Sequence, residues 1–114
     1  MPDNDGYPTP EELEVVRSWD WEQGFKGLVE YLRDIWWYPE RHIELYWGRD
    51  RITEKSVHRL ILHTGGWSGN EDIIVALKDN MMFWQLCWEK SVRGGHFYFG
   101  IRPMNWSLRV KEKE

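Results

Sequence analysis

The residues best suited to chemistry lie in two short stretches. The first is His63-Thr64-Gly65-Gly66-Trp67-Ser68-Gly69-Asn70-Glu71. Glycines between a strand and a helix leave backbone N–H groups open at a helix N-terminus, which suits an anion. The spacing is not that of a phosphate loop ending in Gly-Lys-Ser/Thr, nor of Gly-x-Gly-x-x-Gly. The string also reads as a tight capped turn. Its glycines would supply positive φ, and Ser68 with Glu71 would form a capping box. The second stretch is Arg93-Gly94-Gly95-His96, a turn between two aromatic-rich runs. Read functionally, Arg93 and His96 join His63, Thr64, Gly65, Gly66, Trp67 and Asn70 around one pocket. That requires turn and loop to meet at the same sheet edge. Read structurally, it is a hairpin turn with a solvated arginine.

Other chemistry finds less support. His42, His58, His63 and His96 do not have metal-ligand spacing, so no metal site is expected. His63 with Ser68 lacks a nucleophile elbow, because the local string is Gly66-Trp67-Ser68-Gly69. The lone Cys87 excludes an intramolecular disulfide and a cysteine zinc site, and its aromatic neighbours suggest inert core. No cofactor is expected, and no catalytic residue is assigned.

Composition points to contact surfaces. Nine tryptophans, at 19, 21, 36, 37, 47, 67, 84, 88 and 106, are hard to bury completely in 114 residues. Most read as core, and the remainder as interface anchors. Charge is unevenly spread: residues 1–40 carry ten acids and three bases, residues 41–114 nine acids and twelve bases. The net charge of −4 argues against direct nucleic-acid binding. Glu11, Glu12, Glu14, Trp19 and Trp21 are the interface candidates from the acidic third.

The positioning elements follow from periodicity. The length suits one α+β domain over 9–110, with a disordered leader at 1–8 and a solvated tail at 111–114. No apolar run is long enough for a membrane span, and the polar start carries no secretory signal. A cytoplasmic, reducing compartment is the simplest reading. Thr9-Pro10-Glu11-Glu12 opens a helix over about 10–18, with Leu13 and Val16 inward. Asp20 caps a second helix over about 21–36, carrying Phe25, Leu28, Leu32 and Ile35, and Pro39 ends it. After residue 41 the period becomes two. Residues 42–47 form a strand with Ile43, Leu45 and Trp47 on one face, and 48–50 a turn. Residues 56–63 form a central strand, because Leu60-Ile61-Leu62 is apolar on both faces. A helix from Ser68 to about Asp79 ends at Asn80. Residues 82–91 and 96–101 read as strands, and Trp106, Leu108 and Val110 as a further short strand or packed tail. The expected order is α-α-β-β-α-β-β, a mainly antiparallel four-stranded sheet with helices on one face.

The string His63-Thr64-Gly65-Gly66-Trp67-Ser68-Gly69-Asn70-Glu71-x-Ile73-Ile74-x-Ala76-Leu77, with Phe83-Trp84, Trp88 and Arg93-Gly94-Gly95-His96, resembles small proteins of phages, prophages and other mobile elements. The resemblance covers about residues 25–101. It implies a biological setting and no mechanism. Accessory proteins in that setting commonly bind a host protein, and inhibitors of CRISPR effector complexes are one class of them. Two functions therefore stand side by side. One is stoichiometric binding to a host protein through aromatic and acidic surface. The other is a small-ligand or nucleotide site, enzymatic or not, at the 63–71 loop with Arg93 and His96.

Overall fold

A computed structural model describes residues 7–50 and 53–107. The chain runs α1 (Pro10–Arg17), a 3-10 turn (Trp21–Gln23), α2 (Phe25–Ile35), α3 (Pro39–His42), β1 (Ile43–Arg49), β2 (Ser56–His63), α4 (Ser68–Asp79), α5 (Met81–Cys87), β3 (Trp88–Val92), β4 (His96–Ile101) and α6 (Pro103–Trp106). This is the expected α+β class. The four strands pair antiparallel throughout, in the order β1-β2-β4-β3, so β2 and β4 are central.

Alternation sorts the sheet into two faces. Ile43, Leu45 and Trp47 pair with Leu62, Leu60 and His58, which pair in turn with Phe97, Phe99 and Ile101. Leu60, Leu62, Phe99 and Ile101 are fully buried against helical Val16, Phe25, Leu28, Leu32, Ile73 and Leu77. The helices thus cover this face. Trp47 reaches the rim and is 56% exposed. The other face presents Glu44, Tyr46, Arg59, Ile61, His63, His96, Tyr98 and Gly100. Among the described residues no helix is long and apolar enough to cross a membrane.

Several elements differ from the sequence reading, each for an identifiable physical reason. The capping box at α1 is complete: Glu12 N–H donates to Thr9 Oγ1 at 3.1 Å, and Thr9 N–H to Glu12 Oε1 at 2.8 Å. The expected helix over 21–36 is instead a 3-10 turn and a shorter α2. Gly24 between them has φ +83°, and a Cβ there would lie 2.5 Å from the Ser107 backbone. α2 ends at Ile35, and Pro39 starts α3 at its first turn, after Tyr38 in a left-handed conformation with φ 56°. β1 continues through Gly48 and Arg49, where a turn was expected.

Residues 82–91 are not one strand. Met81–Cys87 is helical, and only Trp88–Val92 is extended, as an exposed edge strand. Asn80 decides this. Its side chain accepts from Phe83 N–H at 3.2 Å and donates to Val16 O and Trp19 O at 3.0 and 3.1 Å. Phe83 then lodges between Phe25 and Phe99, each 5.1 Å away between ring centroids. Trp106 belongs to a helical turn, not a strand; Leu108, Val110 and 111–114 lie outside the described residues. So do residues 1–6 of the expected leader, whereas Pro8 is buried and Tyr7 packs 5.1 Å from Trp67.

Candidate functional site

β2 and β4 place two histidines side by side. His63 and His96 are direct cross-strand partners on the face that no helix covers among the described residues. Their Nδ1 atoms lie 2.7 Å apart, and His63 Nε2 lies 2.6 Å from Glu44 Oε2. Glu44 reaches His63 diagonally, from opposite Ile61 on β1. The three side chains form one hydrogen-bonded row across three strands.

With Glu44 ionised and both imidazoles neutral, one proton order satisfies the row. An ionised Glu44 can only accept, so His63 Nε2 donates to it. A neutral His63 then accepts at Nδ1 from His96 Nδ1–H. His96 Nε2 is left with its lone pair, on the side where a Cβ on Gly94 would come within 3.1 Å. The arrangement can accept a proton at His96 or hold a hydrogen-bond donor there. The Nδ1–Nδ1 bond exists only while one of the facing nitrogens lacks a proton.

The glycine-rich loop and the hairpin turn do meet at one end of the sheet, since Thr64 N–H donates to Gly95 O at 2.9 Å. They do not enclose a common pocket with His96. Asn70 is fully buried; its side chain accepts from Trp37 N–H at 2.9 Å and donates to Trp37 O and Thr64 O at 3.3 and 3.2 Å. Trp67 stacks on Trp37 at 4.5 Å. Gly65 and Gly66 have φ +64° and +74°, and a Cβ on Gly65 would strike the His42 ring at 2.6 Å. Thr64 is buried, and Arg93 is exposed at the turn. Around Gly65, Gly66 and Asn70 the loop is filled by its own packing, while Thr64 and Glu71 line a small cleft with Gly95 that neither Arg93 nor His96 borders.

The capping box read into Ser68 and Glu71 is absent. Trp67 is the N-cap of α4, with no side-chain cap bond. Glu71 N–H donates to Trp67 O at 3.1 Å, and the Ser68 hydroxyl lies 3.1 Å from the Tyr7 hydroxyl. The helix begins one residue earlier than the box requires, so Ser68 is already inside it.

A broad trough of about 740 Å³ lies beside the histidine row, bordered by Tyr46, Arg59, Trp88, Lys90, Tyr98 and Arg102. Gly100 forms its floor, where a Cβ would lie 2.5 Å from Glu89 Oε2. Arg59 lies across the sheet and grips Glu89 through two bonds of 2.6 and 3.1 Å. Lys90 Nζ sits 4.7 Å from the Tyr98 ring centroid, a cation–π contact. Tyr46, 49% exposed, stands on this face; Trp47, at 56%, and Trp88, at 42%, pair with His58 and Phe99 and so belong to the helix-covered side, where Trp88 stacks on Trp84 of α5 at 5.8 Å.

The acidic third presents a different picture. Trp19 and Trp21 are only partly exposed and pack on the core, and Trp19 Nε1–H donates to Gly24 O at 3.0 Å. Glu12 serves the α1 cap, Glu14 pairs with Arg17 at 2.6 Å, and Glu11 is exposed. Sequence reasoning missed Glu44, Tyr46, Arg59 and Tyr98. Alternation alone turns Glu44 and Tyr46 away from Ile43 and Leu45; the register that sets Glu44 beside His63 is a tertiary fact.

The fold is thus an α+β layer: a four-stranded antiparallel sheet with one face under helices and one face carrying a Glu-His-His row and an aromatic, cationic trough. No family model, curated protein or solved structure matches the chain.

Proposed function

We propose that this protein works by stoichiometric binding of a partner protein through the face of its sheet that no helix covers. The observation that carries the reading is where the tyrosine rings stand. Tyr46 and Tyr98 border a trough rimmed by Lys90 and Arg102, whereas the glycine-rich loop is closed around Asn70 and the Trp37–Trp67 stack. Aromatic and arginine side chains are the usual anchors of protein interfaces. The cations favour an acidic patch on the partner. In the mobile-element setting suggested by the Thr64-Gly65-Gly66-Trp67-Ser68-Gly69-Asn70-Glu71 string, the partner is a host protein, and a defence complex is one such target.

The test compares variants as bait in host lysate, followed by reconstitution with the captured protein. Tyr46→Ala and Tyr98→Ala remove rings of this face and should each weaken the complex by at least about 2 kcal/mol. Glu11→Lys should leave it within about threefold, a shift of no more than about 0.7 kcal/mol. Equal capture by all variants, or multiple turnover of any small substrate, would end the binding reading. The Glu44–His63–His96 row supports a second reading, proton transfer to a small ligand at His96. His96→Ala would then abolish an activity that Tyr46→Ala and Tyr98→Ala leave intact.

A further inference from the structure

The two facing histidines stand as a chelating pair would. His63 and His96 are 33 residues apart, so no sequence spacing announces them, and strand register alone brings their Nδ1 atoms within 2.7 Å. Glu44 holds His63 from the far side of the ring, with Oε2 2.6 Å from Nε2. A histidine that ligates a metal through one ring nitrogen commonly gives its other N–H to a carboxylate, which fixes the tautomer and strengthens the ligand. Glu44 and His63 already stand in that relation. Solvent reaches the row, since the His63 side chain is 20% exposed and that of Glu44 54%.

The nitrogen spacing selects among metals. Two imidazole nitrogens bound to one ion at about 2.05 Å stand about 2.9 Å apart at a right angle and about 3.3 Å apart at the tetrahedral angle. Starting from 2.7 Å, the rings must part by about 0.2 Å for the first and about 0.6 Å for the second. The pair therefore suits the square or tetragonal coordination of Cu(II) and Ni(II) better than that of Zn(II). Magnesium and calcium want oxygen cages, which two imidazoles do not offer. One proton has to be relocated: His96 loses the proton on Nδ1 and gains one on Nε2, so the pair stays neutral and both Nδ1 lone pairs meet the ion. Among the described residues no third histidine, cysteine or carboxylate completes a metal cluster, so water or an outside donor takes the remaining positions. Arg59, the cation of β2 on this face, is paired with Glu89 through two bonds and does not oppose the ion.

From the paired Nδ1 atoms and the carboxylate behind them, we infer that His63 and His96 chelate a divalent ion of the Cu(II) class, with Glu44 as the residue that positions His63. The site lies where β2 ends and β4 begins. It stands whether or not the trough binds a partner.

The probe is Cu(II) alone, titrated into the full chain at mildly alkaline pH in a buffer that does not bind copper. A single ion should bind, and its electron paramagnetic resonance should show two imidazole nitrogens. Paramagnetic broadening of the amide NMR signals should centre on His63, Thr64, Gly95 and His96. His63→Ala and His96→Ala should each weaken binding by about 100-fold, because a chelate becomes a single ligand. His96→Phe carries the same expectation and keeps a ring in the cross-strand pair, so lost binding there is not lost folding. Glu44→Gln keeps an acceptor for His63 and removes the charge. It should weaken binding about tenfold and leave the two-nitrogen signal in place. His58→Phe, on the helix-covered side, should bind as the wild type does. Unchanged affinity in His96→Phe, a signal from one imidazole only, or broadening centred on His42 or His58 overturns the proposal. So does the absence of saturable binding to the wild type.

Discussion

Asn70 joins three segments that meet at one end of the sheet. Its amide ties the Trp37 backbone to Thr64, so α2's exit, the end of β2 and the start of α4 are held by one side chain. Asn70→Ala should cost about 2 kcal/mol, measured by denaturant unfolding, because buried backbone groups lose their partners. Ser68→Ala should change stability by no more than about 0.5 kcal/mol, since Ser68 caps nothing and its hydroxyl meets an exposed tyrosine. His58 is pressed between Trp106 at 4.0 Å and Trp47 at 4.6 Å, and burial lowers its pKa below the ordinary histidine value. The unfolded chain therefore takes up a proton here more readily than the folded one. The stability tied to His58 is complete above pH of about 6.5 and is lost as pH falls through the folded value. His58→Phe should flatten that part of the pH–stability curve. Cys87 is raised by burial, and Glu89 adds to the shift, so its thiol stays protonated. Iodoacetamide should label it only as fast as the chain opens.

At the level of elements, glycines in the two turns do unequal work, although the sequence presents them alike. Gly66 has φ +74° and nothing within 4 Å of a Cβ, whereas Gly95 has φ +84° and would drive a Cβ into Thr64. Gly66→Ala should cost about 1 kcal/mol from backbone strain alone. Gly95→Ala should cost clearly more, and thermal melts of the two variants will separate strain from contact. The helix–strand division at 87–88 has a comparable origin. Met81 to Ser91 is apolar enough to fit either period, so its pattern could not choose. Phe83→Ala should cost about 3–5 kcal/mol, because the ring fills the gap between α2 and β4. A surface strand residue would not behave so.

For the whole molecule, the net charge of −4 conceals a division of charge between surfaces. Lys90 and Arg102 border the trough, while Glu11 and Glu14 lie on α1. If the trough face binds an acidic partner, Lys90→Glu with Arg102→Glu should slow association several-fold and reduce its dependence on salt. Glu11→Lys with Glu14→Lys should leave the rate nearly unchanged, a contrast that stopped-flow mixing can measure.

Much of this architecture was legible in local signals. The first cap, the buried stripe Phe25, Leu28, Leu32 and Ile35, and the alternation of Ile43, Leu45 and Trp47 all depend on contacts within a few residues. Those contacts leave a period in the chain, and the α+β class followed from the change of period. Positive φ at Gly65 and Gly66 was legible for the same reason. Tertiary structure decided the rest. Gly24 breaks a helix because Ser107 lies against it, and Asn80 starts α5 while holding the end of α1. Glu44 meets His63 and His96 only through the register of three strands, which no segment encodes alone. Sequence could list the side chains able to do chemistry, because residue type is local. Which of them share a proton, fill a gap or face the solvent is a property of pairs distant in the chain, and it exists only once the sheet has formed.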